Sequence, residues 1–220
     1  MEIIVLNKYK ANIAEIEKEI VETNKKLLED YNGNGSVDSI KLFKIVHSAS
    51  MLDDAYFLNE CSGNPSFLKR HANAIIRTMV EQTIEFAYLQ QHLSEIDEFF
   101  GSEDVIKNLE NEIDINNLNS LSIETIIRAY KKFGSERAIT KRKKLIEMAQ
   151  AIGEADINQP TLYNLYRILS EETHNFYYCS ALDMAGMIDD NNDPIVALTV
   201  VQAGLLKIIM DRYLAAYRKL

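Results

Sequence analysis

The sequence predicts an all-α protein, a multi-helix bundle of about seven helices. Only 8 of its 220 residues are Gly and 3 are Pro, which leaves few positions for turns and favours long helices. Apolar residues return every three to four positions in one segment after another, as they do along the buried face of a helix. The connections between these segments are short, so consecutive helices are expected to pack together.

Three helices are predicted in the N-terminal half. An amphipathic helix reaches about Tyr31, with Ile and Leu on one side and Glu and Lys elsewhere. A second helix runs from Val37 to about Glu60, and a third begins at Ser66. The third is apolar on more than one side, which predicts a central position among several neighbours.

Residues 30–41, between the first two helices, resemble an EF-hand calcium loop in the spacing of their Asp, Asn and Gly residues. The twelfth position is Lys41, where such a loop needs a carboxylate. An Asn-Gly-Asn-Gly turn between two helices needs the same residues for its backbone shape, so the turn is the preferred interpretation.

The C-terminal half is predicted to hold four further helices after an acidic, Asn-rich segment at residues 101–120, which is expected to be a short helix or an irregular crossover. These helices occupy residues 122–134, 135–153, 160–186 and 194–220. Ser or Pro opens each of them and Gly closes the first three, as is typical of helix ends.

Composition and charge limit the classes of protein to which this chain can belong. The formal net charge of −9 argues against a protein that coats nucleic acid indiscriminately, although residues 128–144 hold eight Lys or Arg and one Glu. The N-terminus lacks the pattern of an export signal, and no segment reaches the roughly 18 apolar residues of a membrane span. The 2 cysteines show no metal-ligand spacing. We therefore expect a cytoplasmic protein without membrane association, folded as one domain over residues 1–220, whose first helix (residues 1–31) is a candidate for a peripheral position.

The predicted helix at residues 160–186 offers a candidate site. Within it, Tyr163, Arg167, Ser170, His174 and Tyr178 follow one another at spacings of four, three, four and four. At about 100° per residue, these side chains point to one side of the helix. The stripe is polar and aromatic, whereas the buried face of an ordinary core helix consists of Leu and Ile.

Arg167 and His174 are suited to cleaving a phosphodiester bond without a metal ion, because an Arg can hold a phosphate while a His moves a proton. In this respect the sequence resembles the HEPN superfamily of helical bundles, whose ribonuclease members carry an Arg, four to six residues and then a His near the end of a helix. The resemblance implies a HEPN-like endoribonuclease, or a nucleotide-directed HEPN-like protein, of a toxin or phage-defence type. It also implies a homodimer with a shared cleft, no cofactor, and room for a regulatory partner protein. Ile168 departs from the pattern, since a polar residue usually follows the Arg.

A second resemblance is more specific. The segments RTMVE, FAYL and YRILSEETH look like an uncharacterised bacterial helical domain family with Arg-x-x-x-Glu and Tyr-x-x-Leu-Ser-x-x-x-His signatures. This resemblance covers residues 67–184 and implies no activity.

The predicted catalytic residues are therefore Arg167 and His174. The supporting residues share these two signature helices and are Arg77, Glu81, Tyr163, Tyr166, Ser170 and Glu171. The candidate RNA contacts all come from the basic segment and are Lys131, Lys132, Arg137, Lys141, Arg142, Lys143 and Lys144.

A structural interpretation fits the same residues. Arg77 and Glu81 would join the stripe in a buried hydrogen-bonded network that fixes two helices, and Arg167 would pair with Glu171. The protein would then be a non-catalytic binding or regulatory module.

A metal centre is the third interpretation. Glu171 and His174 form half of the pattern used by di-iron bundles, and Glu81 and Glu85 would add carboxylates. Such sites need a second Glu-x-x-His, which the sequence lacks, so no metal site is predicted.

Overall fold

The computed structural model describes residues 2–34, 38–61, 69–96, 143–171 and 200–220. No strand occurs among these residues, and their regular elements are helices, so the predicted all-α class is confirmed. In chain order, the helices are α1 (Glu2–Asn34), α2 (Ser39–Cys61), α3 (Lys69–Gln91), α4 (Leu145–Ala151), α5 (residues 162–171) and α6 (Val200–Tyr217), with a 3-10 turn at Leu93–Glu95.

The first three helices lie where the sequence predicts them. α1 continues through Gly33 to Asn34, so Asp30 and Asn32 of the EF-hand-like stretch belong to a helix and not to an ion-binding loop. Residues 35–37 of the predicted turn lie outside the described residues.

The predicted helix at residues 135–153 is wrong at the start of its described portion. Lys143 and Lys144 are not helical, and α4 begins at Leu145. Residues 141–144 are all basic, and positive charges are unfavourable in the first turn of a helix because they oppose its dipole. The Lys143 ammonium instead lies 2.9 Å from the carboxylate of Glu95.

The chain divides into two compact units, one made of Met1–Gln91 with Leu145–Leu220 and the other of His92–Lys144. All six labelled helices belong to the first unit. The described part of the second unit contains the 3-10 turn and the ion pair between Lys143 and Glu95.

Helix α6 runs parallel to α3, against which it packs. The amide of Gln202, early in α6, donates a hydrogen bond of 2.8 Å to Asn73, early in α3. Further along both helices, the rings of Phe86 and Tyr213 lie 4.9 Å apart. No helix in the described residues is long and apolar enough to cross a membrane.

Helix α1 also runs parallel to α6, whereas α2 is antiparallel to α3. Gly204 of α6 faces the ring of Tyr9, and the Tyr217 hydroxyl donates to Asn24 over 2.7 Å. Between α2 and α3, the amide of Gln82 donates to Ser50 over 3.1 Å. Phe86, one turn later in α3, stacks on the earlier α2 residue Phe43 with 5.3 Å between ring centroids.

Fully buried side chains from α1, α2, α3 and α6 fill the space between these helices. They include Ile13, Ile20, Phe43, Met51, Leu58, Ile76, Met79, Ile84, Phe86, Leu206, Ile209 and Tyr213. Burying one large apolar side chain of this kind stabilises the fold by about 1.5–3 kcal/mol. The predicted central position of α3 is confirmed, because this helix packs against α2, α4 and α6.

Candidate functional site

The turn between α4 and α5 positions the candidate helix. Gly153 has a φ of 75°, the left-handed backbone that glycine adopts without a steric cost. Its N–H donates to the carbonyl of Gln150 (3.2 Å), and the N–H of Glu154 donates to that of Ala149 (2.8 Å). This is the Schellman pattern of a helix end, and it confirms the end predicted at Gly153.

The start of α5 is fixed by two side chains. Oε2 of Glu154 accepts a hydrogen bond from the Leu162 N–H (2.9 Å), while Oε1 accepts one from Arg212 of α6 (2.8 Å). The Thr161 hydroxyl accepts from the Asn164 N–H at 3.3 Å. A carboxylate and a hydroxyl that satisfy the first N–H groups are the usual stabilisers of a helix start, and α5 begins two residues after the start predicted at Pro160.

The side chains of α5 divide between a buried and an exposed side. Leu162 and Leu169 are buried, whereas Ile168 is 52% exposed. Arg167 and Glu171 are also exposed. Because Arg167 follows Leu162 by five residues, it points about 140° away from it around the helix. The guanidinium therefore lies on the side opposite the core.

Tyr163 and Tyr166 lie between the two sides and form a ladder with α3. Their half-buried rings stack with centroids 5.8 Å apart and an angle of 27°. The Arg77 guanidinium lies over the Tyr166 ring, 5.9 Å from its centroid. Arg77 Nε is also 3.4 Å from Oε1 of Glu81, so the Arg and Glu of the Arg-x-x-x-Glu signature form an i, i+4 ion pair on α3. Four of the predicted supporting residues are thus brought together.

The remaining stripe residues behave differently from one another. The Ser170 hydroxyl donates to the carbonyl of Tyr166 at 2.8 Å, a bond within its own helix that occupies its proton. Among the described residues, Arg167 has no carboxylate within ion-pair distance, and the predicted pair with Glu171 is not formed. His174 lies outside the described residues.

Only part of the basic segment is described. Lys143 and Lys144 are exposed, and Lys143 is paired with Glu95. The other predicted RNA contacts lie outside the described residues and are Lys131, Lys132, Arg137, Lys141 and Arg142. Within the described part of the chain, no three His, Cys, Asp or Glu side chains are close enough to hold a metal ion.

A buried polar cluster in the core was missed by the sequence reasoning. Nδ1 of His47 lies 3.1 Å from the Tyr213 hydroxyl, and its Nε2 lies 4.0 Å from a carboxylate oxygen of Glu85. The imidazole packs edge-on against Phe43 and Phe86, and His47 is only 4% exposed. Burial raises the pKa of Tyr213 well above its ordinary value.

A second hydrogen-bonded chain lies beside it. The Tyr217 hydroxyl donates to Oδ1 of Asn24 (2.7 Å), whose Nδ2 donates to the Ser48 hydroxyl (2.8 Å). The Lys44 ammonium lies over the Tyr217 ring, 4.2 Å from its centroid. Burial raises the pKa of Tyr217 to about 12.

The two groups together connect α1, α2, α3 and α6, and most of their polar atoms are hydrogen-bonded within the protein, although Nε2 of His47 lies 4.0 Å from Glu85, beyond hydrogen-bond distance. They are therefore best explained as a structural polar core. The available sequence signal was weak: two tyrosines one turn apart on an apolar helix, and a histidine on the apolar face of α2.

The described elements define a helical-bundle protein whose α3 and α5 are joined by an arginine–tyrosine ladder. Residues 63–193, more than half of the chain, match DUF5677, a family of unknown function, and the protein belongs to this family. The match includes α3, α4 and α5, and it agrees with the uncharacterised helical domain family predicted over residues 67–184. Neither the curated proteins nor the solved structures provide a match to the chain.

Proposed function

We propose that this protein is a metal-independent, HEPN-like endoribonuclease in which Arg167 holds an RNA phosphate and His174 moves a proton. The observation that carries the proposal is the state of Arg167. Its side chain is exposed, it has no carboxylate partner among the described residues, and it projects from a helix whose opposite side is anchored in the core. An exposed guanidinium on a rigid element is a favourable ligand for phosphate.

The chemistry follows from the two side chains. The RNA 2′-hydroxyl attacks the adjacent phosphorus, the bond from phosphorus to the 5′-oxygen breaks, and a 2′,3′-cyclic phosphate forms. One imidazole takes the proton of the 2′-hydroxyl, a second acid protonates the leaving 5′-oxygen, and Arg167 stabilises the charge on the phosphate. In the helix predicted from the sequence, a spacing of seven residues corresponds to about 10 Å along the axis between Arg167 and His174. A second copy of the chain would supply the complementary group, so the proposal includes a homodimer.

The cellular setting is part of the same proposal. A cytoplasmic toxin or phage-defence enzyme acting on RNA would need restraint, which a regulatory partner protein would supply. The basic segment, including the exposed Lys144, would add phosphate contacts that compensate for the net charge of −9.

Cleavage of a labelled single-stranded RNA in the presence of EDTA tests the proposal. The wild-type protein is expected to leave 2′,3′-cyclic phosphate ends, and His174→Ala and Arg167→Ala to lose at least about 100-fold in rate. Arg218→Ala is the matched control, because it removes another exposed arginine, paired with Glu19 at the far end of α6, and should leave the rate unchanged.

Absence of cleavage by the pure wild-type protein would overturn the nuclease proposal. Cleavage that appears only with added iron or manganese would overturn its metal-independent form and favour the carboxylate–histidine site. Melting temperatures recorded for each variant separate a chemical effect from unfolding. Since Arg167 is exposed, its substitution should leave the melt unchanged.

A second candidate function is a non-catalytic binding or regulatory module. The observation that favours it is that Arg77, Glu81, Tyr166 and Ser170 all contact protein groups. This alternative predicts no RNA cleavage by the wild-type protein. It also predicts a clear fall in melting temperature for Arg77→Ala, which removes the contact between α3 and α5.

A further inference from the structure

Tyr163 and Arg167 together suggest which form of RNA the site takes. We infer that Tyr163 is a stacking platform for an unpaired RNA base whose neighbouring phosphate binds Arg167, so that the ligand is single-stranded RNA. This inference rests on the proposed function, because it assigns the substrate class of the same site.

The Tyr163 ring is supported by contacts with Tyr166 and, through it, with Arg77. The Tyr163 ring stacks on Tyr166, and Tyr166 in turn lies beneath the Arg77 guanidinium, which is paired with Glu81. Among the described residues, Tyr166 supplies the one ring that contacts Tyr163. A tyrosine that is supported on one side and partly exposed loses little side-chain freedom when a ligand stacks on it.

The position of Arg167 supplies the second contact. It lies four residues after Tyr163, so the two side chains are neighbours on the helix surface, with Cβ atoms about 5–6 Å apart. A ring and a guanidinium at this spacing can bind a base and a phosphate of one nucleotide chain together. Arg167 is fully on the exposed side of α5, whereas Tyr163 stands at the border of the buried side.

The arrangement discriminates against duplex RNA. A base can stack on a protein ring only when it has left its own helix, and the bases of A-form RNA remain stacked and paired. The net charge of −9 also weakens binding to a duplex through its phosphates alone. Local contacts at Tyr163 and Arg167 must therefore carry much of the affinity, and loss of one stacked base corresponds to about 5- to 150-fold weaker binding.

Fluorescence anisotropy with a labelled RNA single strand, and with the same strand in a duplex, tests the inference. The His174→Ala protein serves as the background so that the RNA stays intact. Adding Tyr163→Leu is expected to weaken single-strand binding by about 5- to 150-fold, whereas Tyr163→Phe, which retains the aromatic ring, should stay within about threefold. Tyr56→Leu is the control, because it removes a 62% exposed tyrosine from α2.

Circular dichroism melts verify that each variant is folded, and Tyr163→Met, a second substitution without an aromatic ring, replaces Tyr163→Leu in the test if Tyr163→Leu unfolds. The inference is overturned if Tyr163→Leu binds the single strand as its parent does, or if it loses affinity equally for single strand and duplex. Wild-type cleavage with Tyr163-independent binding would remove the platform and leave the nuclease in place. Tyr163-dependent binding without any cleavage would support the stacking platform and overturn the nuclease proposal.

Discussion

Replacing Tyr217 by Phe removes a single oxygen atom from the core and leaves the ring in place. That oxygen donates to Oδ1 of Asn24 over 2.7 Å, and Asn24 continues the chain to Ser48 over 2.8 Å. Tyr217 is 2% exposed and Asn24 is 9% exposed, so water cannot easily replace the lost donor. Leaving a buried amide oxygen unpaired costs about 1–3 kcal/mol, and we expect a loss of about 2 kcal/mol in the free energy of unfolding.

Urea denaturation followed by far-UV circular dichroism measures this loss, which should appear as a lower midpoint with an unchanged slope. Tyr56→Phe removes the same atom from a side chain that is 62% exposed, and should change stability by no more than about 0.5 kcal/mol. A double-mutant cycle with Asn24→Ala should give a coupling of about 1 kcal/mol or more, since the two side chains share the bond.

The dependence of stability on pH in the alkaline range gives an independent check on the hydrogen bond of Tyr217. The pKa of Tyr217 is raised from 10.0 to about 12 because burial favours the neutral phenol. The stabilisation from the neutral Tyr217 hydroxyl is therefore complete at a pH below the pKa of tyrosine in the unfolded chain. It is lost as the pH rises through the pKa of Tyr217 in the folded protein. The stability difference between the wild-type protein and Tyr217→Phe should shrink between pH 10 and pH 12. A difference below about 0.5 kcal/mol at neutral pH, equal to that of Tyr56→Phe, would refute the account of this hydrogen bond.

Three further predictions follow from the helix ends and the surface. Gly153→Ala should destabilise the protein by about 1 kcal/mol, because a backbone φ of 75° disfavours a side chain. Gly204→Ala should stabilise it by about 0.5–1 kcal/mol, because Gly204 lies within a helix and an added Cβ would have its nearest contact at 3.6 Å. The two variants should therefore shift the urea midpoint in opposite directions. Glu154→Ala should cost about 1–2 kcal/mol in the same assay, because it removes the cap of α5 and an ion pair to α6; an unchanged midpoint would contradict this. The hydrogen bonds from Arg218 hold the pKa of Glu19 below its ordinary value. The pair therefore stabilises the fold fully at a pH above the ordinary pKa of Glu, and this stabilisation is lost as the pH falls through the pKa of Glu19 in the folded protein. NMR titration of Arg218→Ala should show a higher pKa for Glu19.

The period of the apolar residues was sufficient to place α1, α2 and α3, but not to fix every boundary. Gly33 costs a helix about 1 kcal/mol, yet α1 continues through it, because a single unfavourable residue does not outweigh the hydrogen bonds of a long helix. At the start of α4, by contrast, the helix begins later than the sequence predicts. An apolar pattern continued into a run of basic residues, and the described portion of that run, Lys143 and Lys144, is not helical.

Pairs of equal spacing show why the candidate site was only partly predictable. Arg77 and Glu81 pair on α3, whereas Arg167 and Glu171, with the same spacing and order, do not pair in the described residues. The Arg77 guanidinium is already restricted by its packing on Tyr166, so forming the ion pair costs it little further side-chain entropy. An exposed pair has no such restriction, and its attraction is comparable with the entropy lost.

Contacts between distant segments were beyond sequence reasoning for a different reason. His47 and Tyr213 are 166 positions apart, and helical periodicity assigns each of them to a buried face without naming its partner. Neither residue was therefore named as a site candidate from the sequence. Which buried faces meet is decided by the packing of whole helices, where many small contacts contribute together.

In helix α5, the groups that stabilise the fold are separate from the guanidinium that we propose to bind phosphate. Its anchoring groups, Glu154 at its start and Leu162 and Leu169 along its inner side, are engaged with the protein, while Arg167 projects from the outer side. Since the outer guanidinium contributes no ion pair to the described fold, an anion can bind it without releasing any described contact. Tyr163 lies at the border between the two sides, where it stacks inward on Tyr166 and is partly exposed. A base stacked on Tyr163 would therefore be linked through Tyr166 and Arg77 to helix α3.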